Sequence, residues 1–260
     1  MILAEVLGAL PPISLPELNA QAALMNRVDR KYFVPRDTLA ELIAALGTEA
    51  RILRIAGRNR FRYWTVYLDT ERFDFFRQHV QRRRHRFKVR TRTYCDSGGD
   101  VLEVKTKGAR DLTVKHRIAW DPAVPWQQDE AGQAFVSRIT GMDAAQLRPV
   151  LHTLYRRSTL VLGDQRITLD ADLEFGTAER RITGPDDILV ETKTPAGASD
   201  LDRMLVRAGI RPHRVSKYCL AASILYPQLP GNDWARLRRT YWSLLPPTLD
   251  PPPPVDQETR

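Results

Sequence analysis

The residues best suited to chemistry in this 260-residue chain lie between Gln81 and Ile118, in QRRRHRFKVRTRTYC, a Gly-Gly turn and DVLEVKTKGARDLTVKHRI. Side chains of an extended chain alternate between two faces. Arg86, Lys88, Arg90 and Arg92 therefore share a face, as do Glu103, Lys105 and Lys107, then Thr113, Lys115 and Arg117. The opposite faces carry Phe87, Val89, Thr91 and Thr93, then Leu102 and Val104, then Leu112, Val114 and Ile118. Glu103 is the only acid on the charged faces. A solvated face usually mixes signs, and like charges opposed across a sheet repel. Three such strands in succession predict a bound polyanion. Arg forks and Lys point charges are the groups that hold phosphate oxygens.

To gather these cations the chain needs further strands, and it supplies them. RVDRKYFV, over 27–34, places Arg27, Asp29 and Lys31 on one side and Val28, Tyr32 and Val34 on the other. Asp37 or Thr38 is expected to cap a helix through Leu46, closed by Gly47. Strands are expected over 51–55 and 61–70; in the second, Phe61, Tyr63 and Trp64 read as core-forming. ERFDFFRQHV suggests a short helix and 127–140 another. VLHTLYRRSTLVL and RITLDADLEF form an expected hairpin, with Tyr155, Arg157 and Thr159 facing away from His152, Leu154 and Arg156. In its second strand Arg166, Thr168, Asp170, Asp172 and Glu174 alternate with Ile167, Leu169, Ala171, Leu173 and Phe175. ILVETKT then puts Glu191 and Lys193 on one face. Helices are expected near 199–208 and up to about Tyr226, the second beginning at Ser216-Lys217, where a helix N-terminus also suits phosphate.

The expected fold class is α+β, mainly β: an eight-stranded antiparallel β-barrel with a polar, basic lumen and short helices packed outside. An open antiparallel sheet with helices on its apolar side is the alternative. Residues 1–14 read as a loosely held arm, 15–228 as one domain, and 229–260 as a C-terminal extension. That extension ends in the disordered-type, Pro-rich PPTLDPPPPVDQETR.

Forty Lys and Arg against 31 Asp and Glu give a formal net charge of +9, which favours an acidic partner. Cys95 and Cys219 are the only cysteines and fit neither a disulfide framework nor a zinc site. His79, His85, His116, His152 and His213 show no ligand spacing. With no signal-peptide pattern, and no apolar run near the roughly 18 residues of a membrane span, a cytoplasmic location is expected. A P-loop, GxGxxG after a strand, HExxH and GxSxG are all absent.

If the polar faces converge, Lys31, Lys88, Arg90, Arg92, Lys105, Lys115, Arg117, Arg157, Arg166 and Lys193 surround Asp29, Glu103, Asp170 and Glu191. Such a cage suits oligophosphate, and its few carboxylates suit a divalent cation shared with the phosphates. Transfer of a phosphoryl group then needs alignment and charge stabilisation more than covalent chemistry.

DRKY at 29–32, YLDT at 67–70, KVRTRTY at 88–94, LEVKTK at 102–107, VKHRI at 114–118, YRRSTL at 155–160, RITLDADL at 166–173, VETK at 190–193 and SKY at 216–218 occur in order. Together they resemble the VTC domain, the polyphosphate polymerase domain of the triphosphate tunnel metalloenzyme (CYTH-like) superfamily, from about Leu15 to Tyr226. The resemblance implies a triphosphate tunnel, a divalent metal (Mn2+ commonly, Mg2+ also), and transfer of the ATP γ-phosphate to a growing polyphosphate chain. It also implies Lys31, Arg90, Arg92, Lys105, Lys115, Arg157 and Lys217 as the catalytic phosphate-binding cations. Lys88, Tyr155, Arg166, Lys193 and Ser216 are expected beside the substrate, Glu191 as metal ligand and Asp170 as a second one. The superfamily's opening ExExK stands here as Arg27-Val28-Asp29-Arg30-Lys31, and loss of the first Glu argues against a metal-activated water. A tunnel triphosphatase and a non-catalytic polyanion binder are the alternatives. Nucleic acid is disfavoured. The phosphate-sensing and membrane segments of the eukaryotic complex are missing, which leaves a membrane partner open.

Overall fold

The computed structural model describes residues 2–21, 28–107, 113–195 and 197–242. Its elements begin with α1 (Leu3–Ala9), β1 (Pro12–Ile13), α2 (Leu15–Gln21), β2 (Val28–Val34), α3 (Arg36–Leu46) and β3 (Ala50–Leu53). Next come β4 (Phe61–Asp69), α4 (Asp74–Val80), β5 (Phe87–Tyr94), β6 (Asp100–Lys107), β7 (Thr113–Ala119) and α5 (Glu130–Thr140). The chain continues through β8 (Arg148–Leu162), β9 (Gln165–Gly176), β10 (Arg181–Thr183), β11 (Ile188–Thr194), α6 (Asp200–Arg207), α7 (Lys217–Leu225) and α8 (Ala235–Tyr241). No helix among the described residues is long and apolar enough to cross a membrane.

Eight strands form one antiparallel path in the order β2-β11-β9-β8-β4-β5-β6-β7; β1, β3 and β10 attach at its margins. The Gly-Gly turn between β5 and β6 is real: Gly98 and Gly99 have φ of 76° and 97°, a region costly for other residues. The fold is thus α+β with a mainly antiparallel sheet. The expected closure into a barrel is not present among the described residues, because β2 and β7 end the path unpaired. On β2 the carbonyl of Lys31, which a closing strand would use, accepts the N–H of His213 at 2.7 Å instead. The segment between α6 and α7 thus takes a place on the edge that closure requires.

Helices cover the apolar outer face. Tyr32, Val34, Leu160, Ile167, Leu169 and Val190 pack with Leu39 and Ile43 of α3 and Leu201 and Leu205 of α6. Val89, Leu102 and Val104 pack against Phe135 and Val136 of α5. Residues 3–9, expected as part of a loose arm, form α1, whose Val6 and Leu7 join the α3 cluster. α3 has Pro35 at its N-cap with no side-chain cap bond, so neither Asp37 nor Thr38 caps it.

The other face is polar over most of its length and apolar at one end. There α7, buried at every position except Lys217 and Ile224, packs with Phe33, Leu151, Leu173, Phe175 and Leu189. A helix apolar on all sides requires such a surround. Leu229, Trp234, Leu237 and Trp242 belong to this same cluster, so the described part of the C-terminal extension is core.

The expected two-sided β9 is interrupted. A register shift against β8 falls between Leu154 and Arg156, and Asp172 there has φ 53°. One extra residue reverses the faces that follow it. Asp170 points inward, but Asp172 pairs with Arg36 and Arg156 outside, and Glu174 with Arg181. Leu173 and Phe175 turn in toward α7 instead.

Candidate functional site

Directly paired residues on neighbouring strands share a face. From β2 to β11 the register sets Lys31 opposite Glu191, and Asp29 opposite Lys193. Lys193 lies opposite Arg166 of β9, and Asp170 opposite Arg157 of β8. Tyr155 faces Tyr63 of β4, while Thr65 and Tyr67 face Arg92 and Arg90 of β5. Lys88 then pairs with Lys105, and Arg90 with Glu103. Lys115 and Arg117 of β7 complete the row opposite Lys105 and Glu103. All the strand cations expected at the site therefore occupy one concave face, and α7 brings Lys217 to it.

Three of the inward acids are surrounded by cations. Glu103, fully buried, receives Arg90 at 2.5 Å, Arg117 at 2.7 Å and Lys105 at 3.7 Å. Asp170, also fully buried, accepts Arg157 through two bonds of 2.6 and 2.8 Å, and Lys217 as well. Glu191 holds Lys193 at 2.8 Å and Lys31 at 3.6 Å, both on Oε1. Burial opposes ionisation of Glu103, Asp170 and Glu191. Even so, the neighbouring cations outweigh it and hold all three below the usual carboxylate range. Burial, with Arg90 and Lys115 beside it, displaces Lys105 far downward, and burial displaces Lys88 downward too. Cations outnumber acids on this face, so positive charge remains after every internal pair is formed.

Tyrosines organise the arginines. Arg92 donates to Tyr155 Oη at 3.0 Å and to Thr65 Oγ1 at 3.1 Å. Among the described residues Tyr155 Oη accepts this bond and its own proton has no protein acceptor. Arg92, Arg157 and Lys217 overcome the opposing effect of burial and lower the Tyr155 pKa. Tyr63 stacks on Tyr155 at 5.4 Å, with Arg92 and Arg157 about its ring at 5.3 and 5.2 Å. Arg90 reaches Tyr67 Oη at 3.4 Å.

α7 is anchored where it meets the site. The Ser216 hydroxyl caps it by accepting the N–H of Cys219. The next residue, Lys217, lies 4.5 Å from the Tyr155 ring centre, and Tyr218 donates to buried Asp69. That carboxylate also accepts the N–H groups of Thr70, Phe75 and Phe76 at 2.8, 2.9 and 3.0 Å. It ties the end of β4 and the start of α4 to α7.

Sequence reasoning did not single out Tyr63, Tyr67 or Asp69. Tyr63 reads as core, yet it faces the cations, whereas Trp64 stacks on His152 on the other face and Phe61 is core. The alternation in FRYWTVY carries the distinction once one phase is fixed. Arg27, whose place in the ExExK comparison bears on hydrolysis, lies outside the described residues.

The carboxylates fit a metal only in part. Among the described residues no three His, Cys, Asp or Glu side chains come together to hold one. Both oxygens of Asp170 accept from Arg157 or Lys217, so a cation at the expected second ligand would compete with these two side chains. Glu191 uses Oε1 for both lysines, so Oε2 is the oxygen that would hold a divalent cation brought in with the phosphates.

A family model described as VTC domain matches residues 26–226. Among solved structures, the chain is similar to a protein of Bacillus halodurans described as a proposed adenylate cyclase, with 14% identity and a TM-score of 0.48, covering 74% of this chain and 94% of that one. A protein of Vibrio parahaemolyticus, described in the same way, is 16% identical with a TM-score of 0.46, covering 76% of this chain and 99% of that one. A Hippeastrum protein described as showing a dominant triphosphatase activity is 15% identical with a TM-score of 0.46, covering 78% of this chain and 98% of that one. No curated protein matches the chain.

Proposed function

Since this chain belongs to the VTC domain family, we propose that its cationic face transfers the γ-phosphate of ATP onto the end of a polyphosphate chain. The observation that carries this reading is the convergence of Lys31, Arg90, Arg92, Lys105, Lys115 and Arg157, with Lys217 of α7, on one concave surface where acids are the minority.

In this reading Arg90, Arg92 and Arg157, fixed by Glu103, Tyr155 and Asp170, present forked donors to the phosphates. Lys31, Lys105, Lys115 and Lys217 add point charges, with Lys88, Arg166 and Lys193 extending the row. Tyr155 gives its free proton as a hydrogen bond, and Ser216 fixes the start of α7. A terminal phosphate oxygen of the chain attacks the γ-phosphorus, a new P–O–P link forms, and the β–γ bridging bond breaks to release ADP. No net proton transfer is needed, which suits a site with no free base. A divalent ion held by ATP and Glu191 Oε2 would neutralise charge on the β- and γ-phosphates, with either Mn2+ or Mg2+ chemically suitable. Hydrolysis is less well served: Glu103, Asp170 and Glu191 are ion-paired and more acidic than free carboxylates, so each is a poor base toward water.

The test is to supply purified protein with ATP and Mn2+ or Mg2+, then measure ADP and separate the products by length. Long chains with matching ADP are expected. Orthophosphate without chains would replace this reading with a tunnel triphosphatase, and chain binding without turnover with a polyanion binder.

A further inference from the structure

The described outer surface distributes its charge unevenly. In several places arginines sit beside carboxylates: Arg36 with Asp172 and Asp186, Arg58 and Arg62 with Asp96, Arg148 with Glu71, Arg203 with Asp200. One region gathers several arginines around a single carboxylate. The loop between α4 and β5 exposes Arg82, Arg83 and Arg84, and its left-handed residue Arg82 (φ 53°) brings a guanidinium within 3.8 Å of Asp233, just before α8. Exposed Arg236 follows on α8 and lowers the pKa of His213, after burial. Arg214 is exposed next to that histidine. Asp233 is the single carboxylate within ion-pair distance of Arg82, Arg83, Arg84, Arg86, Arg214 or Arg236 among the described residues.

This surface is continuous with the inner one. His213 donates its N–H to the Lys31 carbonyl at 2.7 Å. Lys88 feels both Lys31 inside and Arg86 outside, and Arg86 shares a backbone bond with Lys107 at the end of β6. A chain of negative charge passing Lys88 would meet Arg86 and then the arginine loop without crossing an acidic barrier.

We propose that these arginines hold the polyphosphate chain where it emerges beyond Lys88, extending its track from the concave face onto the outer surface. The proposal rests on the polymerase reading only in taking polyphosphate as the ligand. Single-stranded nucleic acid would need exposed aromatic rings for stacking, and here Trp234 and Trp242 are buried while Tyr241 is packed between Phe33 and His213. A bare phosphate chain needs only charge and forked donors.

The test uses the full chain and two double variants, Arg83→Ser with Arg84→Ser, and Arg214→Ser with Arg236→Ser. Binding of tripolyphosphate, long-chain polyphosphate and single-stranded DNA is measured for each. Long-chain affinity should fall about three- to tenfold per pair, as expected for two exposed ionic contacts, with weaker salt dependence. Tripolyphosphate, short enough to stay on the inner face, should bind as before. Unchanged long-chain affinity would overturn the proposal, as would an equal loss for tripolyphosphate, and so would DNA binding as tightly as polyphosphate with the same loss. Length-dependent binding by a wild-type protein that makes no chains from ATP would sink the polymerase reading and leave this surface standing.

Discussion

Lys115 stands on the edge strand β7, opposite Lys105, and is the most exposed of the inner lysines. Burial, then Lys193, Arg117 and Arg90, push its pKa down to about 8 against the pull of Glu103. Water reaching this exposed strand screens part of the effect, so the transition falls between about pH 8 and the ordinary lysine range. The amine is charged below that point and neutral above it. Tripolyphosphate affinity should therefore decline as pH rises from 8 toward 10, and Lys115→Arg should remove part of the decline because a guanidinium stays charged. Comparing the variant with wild type cancels the ligand's own titration, and superimposable profiles would show that Lys115 does not govern binding. The inner cations were legible in the sequence because a strand has a period of two and Arg90, Arg92, Lys105 and Lys115 all fall in phase. Which acid serves which cation was not legible. The Arg157 fork on Asp170 depends on how β8 is aligned with β9, and a one-residue slip would separate them.

Among the elements, α7 depends most on a single distant group. Asp69 offers its carboxylate to three backbone N–H groups around the start of α4 and to Tyr218. Asp69→Ala would leave those buried donors unpaired, at about 1–3 kcal/mol each where water cannot replace the bond. Asp69→Ala should therefore cost at least about 3 kcal/mol in urea unfolding. Tyr218→Phe should cost about 1 kcal/mol and weaken phosphate binding by loosening Lys217, its neighbour. A Tyr218→Phe protein with wild-type stability and affinity would show that this anchor contributes nothing. YLDT marks a strand end in the sequence, but nothing local says that its Asp reaches residue 218. The register shift at Asp172 was equally hidden: in RITLDADLEF the alternation runs unbroken, and only the structure shows Asp172 and Glu174 leaving the inner row. The α7 segment was readable as a helix, but not as apolar packing against β2, β8, β9 and β11 beside one end of the inner face, because its partners come from strands far along the chain.

At the scale of the molecule, the surplus of inner cations means that the folded state carries self-repulsion which a polyanion relieves. A ligand bound only by the folded state stabilises it by mass action, about 2.7 kcal/mol at a hundred times its dissociation constant. Saturating tripolyphosphate should raise the melting temperature by several degrees, since about 1 kcal/mol is worth 2–4 °C in a domain near this size. The gain should shrink in high salt. No shift at low salt would mean that the cations do not act together. The unjoined ends of the sheet bear on this as well. Among the described residues β7 is laced to β6 alone and the edge of β2 is engaged by His213, so no backbone ladder there spans the gap between Lys115 and Lys193. The two lysines repel each other across that gap, and a phosphate gripped by both would act as a clasp between strands that no hydrogen bond joins.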